Sequence, residues 1–357
     1  MTAGMRTIAL FLPNWIGDVV MATPAIRAVR EHFPAARLLA VCRPYVAATL
    51  EGAPWFDDVV LFDKIGPRER REVGVIRRLR RERADAAVLF PNSFRSAAVA
   101  ALGRCRRRIG FDRYGRGLLL TDLFQPVRDA SGRRIPSPTM DDYNRLVAPL
   151  GVREPGHRME LFTTTTDEAD ADRAWVDLGL HRLPEVIGLN SSGAFGAAKL
   201  WPTEHFANLA RDLVDRRGCG ILVVCGPNER ATAREIVRLA DRPQVRSLAD
   251  RPVSLGLTKA CVRRLTAFVT TDSGPRHFAG AFDVPVVSLF GPTFIEWTET
   301  YYSKGINLQK KVPCGPCQLR ACPLDHRCMR ELSVFDVMAA TEDLLSRYPA
   351  RRLRHAG

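Results

Sequence analysis

Long apolar runs are missing from this 357-residue sequence: none approaches the roughly 18 residues that a membrane-spanning helix needs. The amino-terminal stretch MTAGMRTIALFLPNW also lacks the long hydrophobic region and cleavage site of a signal peptide. The first strand-to-helix turn lacks GxGxxG spacing, and GxxxxGK(S/T) occurs nowhere. These absences predict a cytoplasmic protein that is neither a dinucleotide-dependent dehydrogenase nor a P-loop enzyme.

The composition is that of a folded protein, with 46% hydrophobic and 26% charged residues, and the length suits two domains. Strand candidates alternate with helical patterns in two series, which predicts two doubly wound α/β domains with parallel sheets. We place the boundary in the polar stretch 163–185, and the last helix can pack on either domain. The strand candidates are 7–12, 37–42, 58–62 and 86–90, then 186–190, 220–225, 267–271 and 285–290.

The net charge of +14 comes mainly from arginine, clustered at 68–85, 104–116 and in the tail RRLRHAG. Such clusters form either a solvated surface or a face for phosphates, acidic sugars or an anionic membrane. Val73, Ile76 and Leu79 recur every three residues, which predicts a helix with one buried edge and an arginine-covered face. No nucleic-acid motif accompanies this charge.

The first strand is followed by a turn with one glycine, Gly17, beside an acid, Asp18. Gly17 is expected to allow a tight turn, with Trp15 and Ile16 packed around it. Asp18 either caps the following helix or has a chemical role. Thr23 and Pro24 suit the N-cap and first position of that helix.

A second turn, in VTTDSGPRHFAGA at 269–281, follows a strand and begins a helix. Backbone N–H groups of Ser273 and Gly274 there can bind an anion, and His277 can add a donor. The alternative is that Asp272 or Ser273 only caps the helix. Pro275 has no N–H to contribute.

Another candidate anion site is the small-residue loop in LNSSGAFGAAKLWP at 189–202. Ser191 and Ser192 can approach a phosphate closely, and Lys199 can neutralise it. A flexible surface loop with an incidental lysine is the other interpretation. Ligands of open α/β sheets bind at the carboxyl ends of strands, and a cleft between two such domains is the default site.

Four of the nine cysteines are concentrated in residues 313–329. Their density suits a structural zinc site, although the spacing is not that of a standard finger or ribbon, and disulfides or free thiols are alternatives. The other five cysteines are expected in the core. The clustered residues are Cys314, Cys317, Cys322 and Cys328.

Taken in order, these motifs resemble the ADP-heptose:lipopolysaccharide heptosyltransferases of glycosyltransferase family nine, in the heptosyltransferase II branch. The resemblance spans most of the chain, and the cysteine-rich segment also resembles one found in that branch. It is carried by PNWIGDVVMATPAIRAVR at 13–30, LFPNSFRSA at 89–97, GRGLLLTD at 115–122, AAKLWP at 197–202, TTDSGPRHFAGA at 270–281 and LFGPT at 289–293.

The resemblance implies a GT-B fold, in which two Rossmann-like α/β domains face a central cleft. Residues 1–170 would bind the acceptor, residues 171–333 the nucleotide sugar, and 334–357 would form a carboxy-terminal helix and basic tail. The implied reaction moves L-glycero-D-manno-heptose from ADP-heptose to the lipopolysaccharide inner core, with inversion and without a catalytic metal or other cofactor. A peripheral position on the inner leaflet is expected, and no nucleic-acid partner.

Position by position, the resemblance implies that Asp18 is the general base and that Lys199 contacts the donor phosphates. It implies that Asp272 holds heptose hydroxyls and that Ser273 and Gly274 form the phosphate turn. The other predicted donor residues are Ser191, Ser192, Glu229 as a ribose contact, and His277.

An acidic acceptor would bind to Asn92, Ser93 and Arg95, together with arginines of 104–116. Two other functions compete with this interpretation. One is a transferase of the same fold that uses another sugar nucleotide. The other is a basic nucleic-acid-binding protein with a small zinc module.

Overall fold

The computed structural model describes residues 4–63 and 65–349, and the chain forms two compact units. The first unit runs to Phe162 and also includes Glu296–Tyr301. The second comprises Thr163–Ile295 and the described residues from Tyr302 onward, including the last helix. The chain therefore leaves the first unit before position 170, and the segment 296–301 returns to it. The basic tail at 351–357 lies outside the described residues.

The first unit contains a six-stranded parallel sheet with the order β3-β2-β1-β4-β5-β6, the order of a doubly wound nucleotide-binding sheet. Its central strands are fully buried, as expected where helices cover both faces. The strands are β1 Thr7–Phe11, β2 Arg37–Cys42, β3 Asp58–Leu61, β4 Ala86–Leu89, β5 Arg107–Phe111 and β6 Asp122–Phe124. The helices are α1 Ile16–Met21, α2 Thr23–His32, α3 Pro44–Thr49, α4 Glu72–Glu82, α5 Phe94–Leu102 and α6 Thr139–Val147.

The second unit repeats this topology, with the order β12-β11-β10-β7-β8-β9 and parallel pairing throughout. The α/β class and the two parallel sheets predicted from the sequence are confirmed. The strands are β7 Val186–Asn190, β8 Gly220–Val224, β9 Val245–Ser247, β10 Ala267–Thr271, β11 Val286–Phe290 and β12 Gly305–Gln309. The helices are α7 Thr165–Asp177, α8 Thr203–Arg217, α9 Arg230–Ala240, α10 Leu255–Arg263, α11 Gly274–Ala281, α12 Arg327–Arg330 and α13 Val334–Arg347.

Several local expectations were wrong. The helical pattern after β1 begins earlier than predicted, because Gly17 is itself helical in α1 and Ala22, not Thr23, is the N-cap of α2. The Thr23 hydroxyl instead donates to the Val20 carbonyl at 2.7 Å. Trp15 is half exposed and does not pack closely around the turn.

The arginine-rich helix α4 exists, but its buried edge differs from the predicted one. Val75 and Leu79 are fully buried in the core of the first unit, with Ile76 packed against them. Val73 is 58% exposed. The edge therefore follows the four-residue spacing of Val75 and Leu79 on an α-helix. Among the described helices, none combines the length and the apolar character needed to cross a bilayer.

Candidate active site

The turn after β10 places an acidic side chain at the start of α11. Asp272 follows the last residue of β10, and Ser273 is the N-cap of α11 without a side-chain capping bond. Gly274 and Pro275 occupy the first two helical positions. The Ser273 side chain therefore does not cap the helix. The backbone N–H groups of the turn lie at the positive end of the helix dipole.

The Asp272 carboxylate forms a buried ion pair with Lys199. Lys199 Nζ lies 2.5 Å from Asp272 Oδ2 and also donates to the Asp272 carbonyl at 3.0 Å. Both residues are less than 10% exposed, although Lys199 belongs to the loop after β7. The structure therefore joins the two predicted donor loops through a direct charged contact, and Lys199 is not an incidental surface lysine.

Two further side chains complete the surroundings of Asp272. Thr293 Oγ1 donates to Asp272 Oδ2 at 2.8 Å, and Arg276 Nη1 lies 3.4 Å from Oδ1. Burial by itself would raise the pKa of Asp272, but the charges of Lys199 and Arg276 outweigh it, so this pKa lies below its ordinary value. The carboxylate is ionised, and the buried cluster has two cations for one anion.

Asn190 fixes the other hydroxyl groups at this edge of the sheet. Its Nδ2 atom donates to Thr270 Oγ1 at 2.8 Å, to Ser273 Oγ at 2.9 Å and to Ser192 Oγ at 3.2 Å. Asn190 and Thr270 are register partners on β7 and β10, the two strands at the topological switch point of this sheet. Ser192 and Ser273 are thereby held on either side of that point, where α/β proteins bind ligands.

Two buried polar atoms beside this cluster have no partner among the described residues. They are Ser191 Oγ and His277 Nδ1. Burial and then the charge of Arg276 place the pKa of His277 well below its ordinary value, so the ring is neutral. A buried polar atom without a hydrogen bond is costly, and a bound ligand can supply the missing partner.

Glu229 lies in the helical turn Pro227–Glu229 after β8, at the same sheet edge. A Cβ at position 226 would lie 2.5 Å from Glu229 Oε2, so Gly226 lets this carboxylate fold against the backbone. No contact of Glu229 with Lys199 or Asp272 is seen in the described structure. The strand that it follows, β8, pairs with β7, and the ribose contact of Glu229 stays a prediction.

In the first unit, Asp18 lies in the first turn of α1, whose N-cap is Trp15. Asp18 is thus inside the helix and is not its capping residue. The Tyr143 hydroxyl hydrogen-bonds the Asp18 side chain, and burial and then the Asp18 charge raise the pKa of Tyr143 far above its ordinary value. Tyr143 is held in turn by edge-on packing against Phe90, with ring centroids 5.2 Å apart.

The three predicted acceptor residues have internal partners. Asn92 Oδ1 accepts from Arg116 Nη2 at 3.0 Å, and Arg116 is completely buried. Ser93 is the N-cap of α5 and accepts from the Ser96 N–H at 3.1 Å. Arg95 pairs with Glu72 at 2.5 Å. One of the arginines of 104–116, Arg116, is thus a core residue, contrary to the expectation of a surface group.

The profile of glycosyltransferase family 9 (heptosyltransferase) matches residues 73–327, which is more than half of the chain. The chain belongs to glycosyltransferase family 9.

Known relatives extend this similarity to nearly the full length. A lipooligosaccharide heptosyltransferase 2 of Campylobacter jejuni is 23% identical over 95% of this chain and 98% of its own. The lipopolysaccharide heptosyltransferase 2 of Escherichia coli is 26% identical over 80% of this chain and 83% of its own. A solved structure of the E. coli ADP-heptose LPS heptosyltransferase II has a TM-score of 0.77 at 24% identity, covering 96% of this chain and 100% of that one.

Three side chains that contact predicted site residues of this family 9 chain were not singled out from the sequence. Asn190, Thr293 and Tyr143 have no motif of their own, and their contacts cross from one strand or helix to another. Thr293 belongs to the LFGPT motif, and its place in the loop directly after β11 is the signal that could have identified it. Arg276, in the same motif as Asp272, is 5% exposed and contacts the Asp272 carboxylate.

The cysteine-rich segment of this family 9 chain contains free thiols, with Cys314 and Cys317 exposed and Cys328 buried. Among residues 4–63 and 65–349, no group of three or more His, Cys, Asp or Glu side chains is arranged to hold a metal ion. The residues present therefore do not form the predicted zinc site in this structure. The five scattered cysteines are buried, as predicted.

Proposed function

We propose that this family 9 enzyme transfers L-glycero-D-manno-heptose from ADP-heptose to the inner core of lipopolysaccharide, with inversion at the anomeric carbon. The heptosyltransferase relatives support the choice of sugar. The observation that carries the proposal is the buried cluster of Lys199, Asp272 and Arg276 at the start of α11. Its excess positive charge is suited to the diphosphate of a nucleotide sugar.

The donor half of the reaction follows from this cluster. As the glycosidic bond breaks, negative charge develops on the leaving ADP, and preorganised cations and N–H groups stabilise it. Lys199 and the N–H groups of Ser273 and Gly274 supply that stabilisation. The unpartnered Ser191 Oγ and His277 Nδ1 atoms provide two further ligand contacts.

Asp272 has one remaining use as a hydrogen-bond acceptor. Its Oδ2 atom already accepts from Lys199 and Thr293, whereas the one contact of Oδ1 seen among the described residues is with Arg276 at 3.4 Å. A carboxylate offers about four acceptor positions. The proposed contact between Asp272 and a heptose hydroxyl therefore falls on Oδ1.

Asp18 supplies the base in this proposal. A carboxylate can accept the proton of the acceptor hydroxyl as that oxygen attacks the anomeric carbon from the side opposite ADP. The hydrogen bond from Tyr143 orients the Asp18 side chain. No metal or other cofactor enters any step.

The acceptor is proposed to be acidic because the first unit presents an arginine-lined groove of about 740 Å³ between β3 and α4. Its lining includes Arg68, Arg71, Arg77 and Arg81. Arginine forks suit phosphate and carboxylate groups, and an anionic inner leaflet would attract the same face. Asn92, Ser93 and Arg95 would bind the acceptor only in addition to their internal contacts.

The proposed function can be tested by assaying a panel of sugar nucleotides with a heptose-deficient core acceptor. We expect transfer from ADP-heptose and inverted stereochemistry in the product. We also expect ADP, and not a short DNA duplex, to raise the melting temperature. Efficient transfer from a different sugar nucleotide, with none from ADP-heptose, would reject the proposed donor.

A further inference from the structure

The cysteine-rich segment, residues 313–329, contacts the loop that carries Lys199. The Ala198 N–H donates to the Arg320 carbonyl at 3.0 Å, and His326 Nε2 donates to the Ala198 carbonyl at 2.7 Å. Both backbone polar groups of the residue before Lys199 are thus bonded to this segment. This is a long-range contact, since more than 120 positions separate His326 from Ala198.

The approach between the two backbones is close. A Cβ at position 196 would lie 2.3 Å from the Arg320 carbonyl oxygen, so only glycine fits there. The Arg320 guanidinium lies 5.4 Å from the centre of the Phe195 ring, and Lys199 Nζ lies 4.9 Å from the same ring. The segment therefore packs directly on the loop from residue 195 to Lys199.

The same segment also contacts the loop after β11. The Gln318 N–H donates to the Pro292 carbonyl at 2.8 Å, and the next residue, Thr293, donates to Asp272. The residues on either side of the buried ion pair are thus bonded to one peripheral stretch of chain. Nothing in the proposed chemistry uses that stretch directly.

We propose that His326 is a positioning residue that holds the Ala198 peptide, and through it the Lys199 ammonium, in place for the donor diphosphate. The inference rests on the proposed donor role of Lys199. His326 itself touches neither the reacting atoms nor Asp272 in the described structure.

The loop before Lys199 needs such support because its own sequence contributes little rigidity. SSGAFGAA, before Lys199, consists mostly of small residues and two glycines, and flexible backbone is costly to order. Its internal backbone bonds are short-range, from Gly196 to Gly193 and from Lys199 to Gly196. The bonds from Arg320 and His326 therefore fix its position relative to the rest of the unit.

The side chain of His326 can be tested separately from its backbone. His326 has φ of 60°, in the left-handed region, where Gln and Ala have similar difficulty. Gln can present an amide N–H near the position of Nε2, whereas Ala cannot donate. A comparison of His326→Gln with His326→Ala thus isolates the hydrogen bond to the Ala198 carbonyl, and His181→Ala is a control on an exposed histidine of the same unit.

The experiment combines hydrogen exchange, ADP titration and steady-state kinetics on the full chain. We expect His326→Ala to speed amide exchange in peptides spanning 193–200 about fivefold, the effect of one lost hydrogen bond. The dissociation constant for ADP should rise and kcat should fall by similar factors. His326→Gln should restore all three readouts, and His181→Ala should leave them unchanged.

Repeating the His326→Ala substitution in a Lys199→Met variant tests whether His326 acts by positioning Lys199 or only by stabilising the loop. In Lys199→Met, adding His326→Ala should cause no further loss of ADP affinity or kcat, because the group being positioned is gone. Gly196→Ala, which forces the loop away from Arg320, should reproduce the His326→Ala effects. Unchanged exchange in His326→Ala, an equal defect in His326→Gln, or full additivity with Lys199→Met would each overturn the inference. Exchange and ADP binding do not depend on the sugar, so an inactive ADP-heptose assay alone would reject only the proposed function.

Discussion

Lys199 and Asp272 meet at two points, with the ammonium bonded to both the carboxylate and the backbone carbonyl of the same residue. A lysine placed only to bind a diphosphate would not need both contacts. We therefore expect the pair to have two roles: it stabilises the turn before α11, and under the proposed function it also holds a cation at the diphosphate site. Its replacement should affect both ligand binding and folding.

We expect Lys199→Met to weaken ADP binding and to lower turnover, each by about tenfold or more, because transition-state charge on the diphosphate loses a cation. The variant should also lose about 1–3 kcal/mol of stability, since a hydrogen bond to a charged group is removed. Asp272 keeps Arg276 and Thr293, so the fold should survive. ADP titration and thermal unfolding measure the two effects.

Lys304→Met is the matched control for that variant. Lys304 pairs with Asp283 at 2.5 Å in the same unit, but Asp283 is largely exposed. An exposed pair of this kind contributes about 0–1 kcal/mol. If both variants bound ADP as the unchanged protein does, Lys199 would have no donor role.

Asp18→Asn should reduce turnover on the order of a hundredfold or more, which is what a positioned base contributes. ADP affinity should stay unchanged, since the residues of the proposed donor site belong to the second unit. Rapid-quench or steady-state assays with saturating donor measure the effect. A fully active Asp18→Asn enzyme would exclude the base role.

The control for Asp18→Asn is a variant that removes the negative charge from the first turn of another helix. Asp336 occupies the same position in α13 that Asp18 occupies in α1. Asp336→Asn should cost about 0.3–1 kcal/mol of stability and leave turnover intact. Tyr143→Phe, which removes the bond to Asp18 but leaves the ring, should reduce turnover less than Asp18→Asn does.

The neutral His277 should make the protein less stable in mild acid. Its folded pKa lies well below the unfolded value of 6.5, so the unfolded chain binds the extra proton as pH falls below 6.5. Stability is therefore lost with decreasing pH, by at most about 1.4 kcal/mol per pH unit for this residue. The unfolding free energy can be measured with denaturant at several pH values between 7 and 5. It should fall less steeply with decreasing pH in His277→Gln than in His181→Gln. Equal slopes would mean that His277 is protonated in the folded protein.

Arg116 should be essential for the stability of the first unit. It donates to the carbonyls of Phe111 and Pro91 and to Asn92, and burial lowers its pKa to about 10. Arg116→Met leaves these acceptors unpaired, and we expect a loss of about 2–4 kcal/mol. Arg106→Met, at a side chain that is 80% exposed, should change the unfolding free energy little. A small loss in Arg116→Met would mean that water replaces the guanidinium.

Thiol labelling distinguishes the states of the nine cysteines. In the native protein Cys314 and Cys317 should react rapidly, because they are exposed and free. Burial raises the pKa of Cys42 and Cys219 to about 12, so these thiols should react only after unfolding. Protection of all four clustered cysteines that disappears on addition of a chelator would show a bound metal instead.

Much of the fold could be predicted because buried parallel strands are continuous apolar runs. The eight predicted strands all exist, within one residue of their bounds at each end. The missed strands carry weaker signals: β5 begins with two arginines, β6 and β9 have three residues each, and β12 is only partly buried. Their apolar patterns are too short or too interrupted to identify from local sequence.

The site was predicted in part for a similar reason. The order of strands and helices brings the loops with Ser191 and Asp272 to one sheet edge, and this depends only on topology. Which side chains then pair depends on distances between loops that are remote in sequence. Asn92 is an example, because no sequence pattern near Asn92 predicts that Arg116 is buried beside it.

The return of Glu296–Tyr301 to the first unit has a consequence for synthesis on the ribosome. Arg134 lies 3.9 Å from the centre of the Trp297 ring, and Tyr301 Oη donates to Asp141 at 2.6 Å. The growing chain cannot form these contacts until residue 301 has been made, when every strand of the second sheet except β12 has already been translated. The amino-terminal unit of this protein therefore cannot finish folding before most of the second unit has been made. Nascent chains that end near residue 162 should be more sensitive to protease than the same residues in the finished enzyme.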